Sequence, residues 1–121
     1  MKTDNIIADK SKAFDIRIIR MYKYLCNDKK EYILSKQVLR SGTSIGANVK
    51  EANCAVSKPD FYTKIGIALK EASETEYWIE LLHETEYLTD VQFNSIYADC
   101  QEVLKLLMSI SRSKKRTYNN V

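Results

Sequence analysis

His83 is the single histidine of this 121-residue chain, and it stands three residues after Glu80. Glu-x-x-His spacing puts a carboxylate and an imidazole one helical turn apart, the pair that each of two helices contributes to a di-iron or di-manganese carboxylate site. Such a site needs the motif twice, and one histidine cannot supply it, so the sequence implies no bound metal and no cofactor. Cys26, Cys54 and Cys100 are odd in number, far apart and without a CxxC pair. That pattern suggests three buried, reduced thiols rather than a disulfide framework or a zinc site. Glu76, Glu80 and Glu84 follow at four-residue intervals, with Glu71, Glu74 and Glu86 close by. Like charges at that spacing repel by a few tenths of a kcal/mol, roughly, per pair, which a solvated acidic face tolerates and the basic face of a neighbouring subunit would relieve. General acid-base catalysis needs a carboxylate or a histidine at a shielded site, and none of these residues signals one, so no enzymatic activity is expected.

The cations offer more. Lys10, Arg17, Arg20 and Lys23, with Lys36 and Arg40, form a candidate basic surface, to which Arg112, Lys114, Lys115 and Arg116 would add reach. Phosphate contacts require only mobile cations at suitable spacing, so such a surface binds RNA or DNA without any further motif. The net charge is +3, but residues 1–58 hold twelve Lys/Arg against six Asp/Glu, 59–111 hold three against ten, and all four charges of 112–121 are positive. A chain so divided suits nucleic acid or a charge-complementary neighbour, including another copy of itself. Tyr22, Tyr24 and Tyr32 could stack bases, but their spacing is that of half-buried helix residues.

Helices must position these side chains. Three Gly and one Pro leave little punctuation for the turns of an all-β fold, and 45% apolar content suits one globular domain. No apolar run approaches the ~20 residues of a membrane span and the first residues lack a signal-peptide core, which implies a cytoplasmic protein away from membranes. Phe14, Ile18, Met21, Tyr22 and Leu25 mark a first helix over 5–27. A second spans 36–55 behind Ser35 as N-cap, with Val38, Gly42, Ile45, Val49 and Ala52 on one stripe. Its interior is unusually small, and each glycine costs up to ~1 kcal/mol against alanine, so Gly42-x-x-x-Gly46 implies close packing of a neighbouring backbone. Asn48 and Glu51, beside that stripe, are candidates for a polar hydrogen-bond network in the core.

Ser57-Lys58-Pro59-Asp60 opens a third helix over 58–86, where Phe61, Ile65, Ala68, Ala72, Thr75, Ile79 and Leu82 alternate steps of four and three. Thr89 and Gln92 form a capping box for a fourth over 90–111, with Phe93, Ile96, Cys100, Val103, Leu107 and Ile110 inward. Residues 112–121 lack an apolar pattern and are expected to be a flexible basic tail. Short links favour an all-α, antiparallel up-down-up-down four-helix bundle occupying 1–111.

The run from Gln37 to Ala52, QVLRSGTSIGANVKEA, with Ser57, Asp60-Phe61, Ile67 to Ala72, Glu74-Thr75 and Tyr77-Trp78, resembles the bacterial 23S rRNA-intervening-sequence protein family, also called "four helix bundle protein". The resemblance covers nearly the whole chain. It implies an up-down bundle assembled as a homopentamer, with nucleic acid as a suspected partner and no established catalytic residues. A similar protein, the accessory factor of diversity-generating retroelements, is a basic pentamer that associates with nucleic acid and a reverse transcriptase. This chain departs from those relatives in its modest net charge and acidic third helix. The resemblance thus leaves two functional expectations: an oligomer binding RNA or DNA, or a module recruiting a partner protein such as a reverse transcriptase.

Overall fold

The computed structural model describes residues 5–119, with side chains over 6–114. Four helices follow in order, α1 (Asn5–Asn27), α2 (Leu34–Asn53), α3 (Lys58–Glu84) and α4 (Asp90–Asn119), with no strand among the described residues. Each helix packs on its neighbour in the chain and α4 returns to α1, while the pairs α1/α3 and α2/α4 lie diagonally. The result is the antiparallel four-helix bundle expected from short links, with its loosest seam between α1 and α4.

The core follows the periodic residues. Phe14, Ile18 and Leu25 of α1, Val38, Ile45 and Ala52 of α2, Ile65, Ala68, Ala72, Ile79 and Leu82 of α3, and Ile96, Cys100, Val103 and Leu107 of α4 are buried together. The small residues of α2 explain its close approach to α1. A Cβ at Gly42 would stand 2.7 Å from Ile18 Cγ2, and one at Gly46 would collide with the Asp15 carboxylate. The two glycines therefore let α1 sink onto the α2 backbone, where the Gly46 N–H donates to Asp15 Oδ2 at 3.0 Å.

Helix ends show where local rules held and where they failed. Ser57 caps α3 by accepting from the Asp60 N–H at 3.2 Å, and Thr89 and Gln92 exchange reciprocal bonds at the start of α4. Ser35, expected to cap the second helix, lies inside α2 instead. The cap is the buried carboxylate of Glu31, which accepts from the N–H groups of Ile33, Leu34 and Ser35 at 3.2, 3.1 and 2.7 Å. A carboxylate facing the positive end of a helix makes charge-assisted bonds that a hydroxyl cannot match, so α2 starts at Leu34, earlier than the predicted 36.

At the other ends, α2 and α3 stop at Asn53 and Glu84, two residues short of the predicted 55 and 86. The predicted flexible tail is a correction of a different kind, because α4 continues through residue 119. Arg112, Lys114, Lys115 and Arg116 are good helix formers, and no Gly or Pro intervenes to stop them, so propensity carries the helix past its last apolar residue. Tyr62 Oη lies 2.9 Å from Ser113 Oγ, which ties this extension to the start of α3. Residues 120 and 121 lie outside the described residues.

Candidate nucleic-acid interface

The candidate catalytic and metal-binding residues are drawn apart by their partners. Glu80 accepts a 2.7 Å bond from the Tyr97 hydroxyl, which, with burial, pushes the phenol up to about 12. One turn on, His83 bonds Asp90 through Nε2 at 2.7 Å and stacks on Phe93 at 4.0 Å. Glu80 and His83 thus face two different partners on α4, and no cluster able to hold a metal ion occurs among the described residues. Cys100 is buried and its thiol is pushed up to about 12 by desolvation, then by Glu76 and Glu80, so it stays protonated and unreactive. The other two thiols correct the expectation of three buried ones, since Cys26 is half-buried and Cys54, at the α2 C-cap, is exposed.

The expected core network at Asn48 and Glu51 is also corrected. Asn48 is half-buried and its Nδ2 donates to the Ser44 carbonyl of its own helix, while Glu51 is exposed and pairs with Lys64 at 3.1 Å. A buried polar contact between helices instead joins Ser41 of α2 to Thr75 of α3, hydroxyl to hydroxyl at 2.8 Å, both without solvent exposure.

The ten candidate cations do not form one surface. Lys10 pairs with Glu102 at 3.0 Å, and Arg17 binds Asp99 at 2.6 Å and the Ser95 hydroxyl at 2.9 Å, so both turn toward α4. Arg40 turns the opposite way, toward α3, where it binds Glu71 and Glu74 and holds the Glu74 carboxyl below its usual range. Arg112 and Lys114 are exposed at the end of the bundle where α4 finishes, and the side chains of Lys115 and Arg116 lie outside the described residues.

Arg20, Lys23 and Lys36 remain together. The antiparallel crossing that sets Ile18 against Gly42 and Asp15 against Gly46 brings Lys36 level with the last turn of α1. All three are exposed, and their charged groups make no ion pair among the described residues. Lys29 and Lys30, exposed in the α1–α2 link next to the equally exposed Asp28, complete this group of five cations, and Glu86 and Asp90 stand exposed at the same end of the bundle. The two lysines were missed as site residues because a polar run between helices signals only a loop; its position between two basic helix ends was the usable signal.

Beside this end, the loose α1–α4 seam opens into a recess of about 450 Å³. Its floor is apolar, with Met21, Leu88 and Ile96, and Arg20 and the half-buried Tyr24 stand at its edge. Five cations without ion-pair partners, next to a cleft with an aromatic edge, can hold phosphates while an unstacked base enters the cleft.

Fold and surface together define an all-α four-helix bundle protein with a group of unpaired cations about the α1–α2 link. The chain belongs to the 23S rRNA-intervening sequence protein family, whose profile matches residues 3–109. Among solved structures it is similar to a protein with unknown function from the S23 ribosomal protein family of Bacteroides thetaiotaomicron. The two are 56% identical over 89% of this chain and 96% of that one, with a TM-score of 0.88. No curated protein matches the chain. No helix among the described residues is long and apolar enough to cross a membrane.

Proposed function

We propose that this protein is a non-enzymatic, self-associating four-helix bundle that binds single-stranded RNA or DNA in the cytoplasm, with the pentamer as its working assembly. The observation that carries the proposal is the group of cations about the α1–α2 link: Arg20, Lys23, Lys29, Lys30 and Lys36 spend their charge on no carboxylate among the described residues, whereas Lys10, Arg17 and Arg40 do. Counter-ions released from the nucleic acid would drive binding, and repetition of the surface around an oligomer would raise avidity. Filter retention of a labelled single-stranded RNA tests this reading. Retention at low salt that disappears as salt rises supports it, and no retention at low salt overturns it. Recovery of a partner protein that survives nuclease treatment, with no RNA retained, would assign the bundle to protein recruitment instead.

A further inference from the structure

Gln92 is half engaged before any ligand arrives. Its Oε1 accepts the Thr89 N–H at 2.9 Å, the return bond of the capping box that starts α4. A backbone N–H can only donate, so this bond fixes which end of the amide faces Thr89 and leaves Nε2, with its two N–H groups, available. Nε2 bonds nothing among the described residues.

Gln92 lines the recess between α1 and α4, and its neighbours there lean the same way. Ser95 Oγ receives Arg17 Nη2 at 2.9 Å, which leaves its O–H to donate, and the Ser95 carbonyl receives Arg17 Nη1 at 3.2 Å. Arg20, at the edge, carries donors alone. No carboxylate lines the recess. Asp90 and Asp99, which flank Gln92 and Ser95 along α4, bond His83 at 2.7 Å and Arg17 at 2.6 Å. The Tyr24 hydroxyl can give or receive and does not alter the balance. The rest of the lining is apolar, from the buried Met21, Leu88 and Ile96 to Val91, which is 80% exposed.

A flat ring seated on that apolar lining displaces water from the donors, and each donor then finds an acceptor on the ring or stays unpaired, which is unfavourable. The nucleobases differ on this point. Guanine offers O6 and N7 and uracil offers O4, all acceptors, whereas the amino groups of adenine and cytosine bring donors to donors. The usual two-bond pairing of a glutamine with adenine needs both ends of the amide, and here the oxygen is held by Thr89.

We infer that the α1–α4 recess is a subsite for a keto nucleobase, guanine or uracil, of a bound RNA strand, read by the Gln92 amide and the Ser95 hydroxyl. The inference rests on the nucleic-acid binding proposed above and names the base that its cleft takes. Phosphates are the same for every base, so the cations about the α1–α2 link supply affinity and the recess supplies the choice.

Filter retention, at low salt, of short oligocytidines carrying one central guanine, uracil or adenine tests this. The guanine and uracil strands are expected to bind about tenfold more tightly than the adenine strand. Gln92→Glu sharpens the comparison, because a glutamate also completes the capping box and keeps the start of α4. It puts an acceptor where the amide donates, so the adenine strand should gain on the other two, whatever the added charge does to all three. Ser95→Ala should narrow the same ratio with no change of charge. An unaltered chain that retains none of the strands overturns nucleic-acid binding and the subsite with it. Equal retention of the three, or greatest retention of the adenine strand, overturns the subsite alone, as does a Gln92→Glu variant of intact helical circular dichroism that keeps the original ratio. If Gln92→Glu loses its helical signal, a Ser95→Ala variant with an unchanged ratio overturns the subsite in its place.

Discussion

Asp15 is the residue with the least settled surroundings. Its Oδ2 accepts from the Gly46 N–H, but its Oδ1 is buried without a partner. Desolvation pushes the carboxyl up to about 7, and the Gly46 bond lowers it only in part. A folded-state value above the unfolded one means that the native chain binds the extra proton between about pH 4 and 7. Stability from this group is therefore full below that window and is lost as pH rises through it. Asp15→Asn keeps the shape and removes the titration. Melting curves from pH 4 to 8 should show the unaltered chain losing stability relative to this variant as pH rises, with the difference levelling above about 7; parallel curves would refute the assignment. Lys12 and Lys50 line the same recess, and no attraction from them holds the carboxyl down.

Glu31 makes the opposite kind of contribution at the same scale. Its three bonds to the first amides of α2 leave with the side chain, and bonds to charged groups contribute about 1.5–3 kcal/mol when lost. Glu31→Ala is expected to cost about 2 kcal/mol in urea unfolding, well beyond the ~0.5 kcal/mol typical of a surface change. Neither residue was legible as such in the sequence. Asp15 depends on a backbone amide thirty-one positions away, and the cap on Glu31 depends on how the link folds back, which no residue pattern encodes.

At the scale of elements, much more was readable, because helical periodicity and capping chemistry are local. The seven predicted core positions of α3, from Phe61 to Leu82, are all buried, and the Thr89–Gln92 capping box forms as expected. What periodicity cannot rank is which polar residue near a stripe is enclosed. Asn48 and Glu51 lie beside the stripe and are not, whereas Ser41 lies on the α3-facing side of α2 and is. The Ser41–Thr75 contact gives a direct test. Thr75→Val leaves the Ser41 hydroxyl short of a partner and should cost ~1–3 kcal/mol, while Ser41→Ala combined with Thr75→Val should cost less than the sum of the single changes. Additive losses in this cycle would show that the hydroxyls do not support each other.

At the scale of the molecule, the uneven charge visible along the sequence is real but is arranged differently in space. Antiparallel packing sends Lys10 and Arg17 to α4 and Arg40 to α3, where acidic residues neutralise them, and leaves Arg20, Lys23 and Lys36 unpaired near the α1–α2 link. A linear list of basic residues could not separate the two groups, since pairing depends on which helices are adjacent.

The salt dependence of RNA binding tests that account most directly, by comparing the unaltered chain with a variant in which Arg20 and Lys23 are both alanine. Affinity should fall linearly with the logarithm of salt concentration, and the variant should show a slope shallower by about 1.4 per RNA-bound site, since each lost contact to a single strand removes ~0.7. A variant that binds as tightly and with the same slope as the unaltered chain would contradict it.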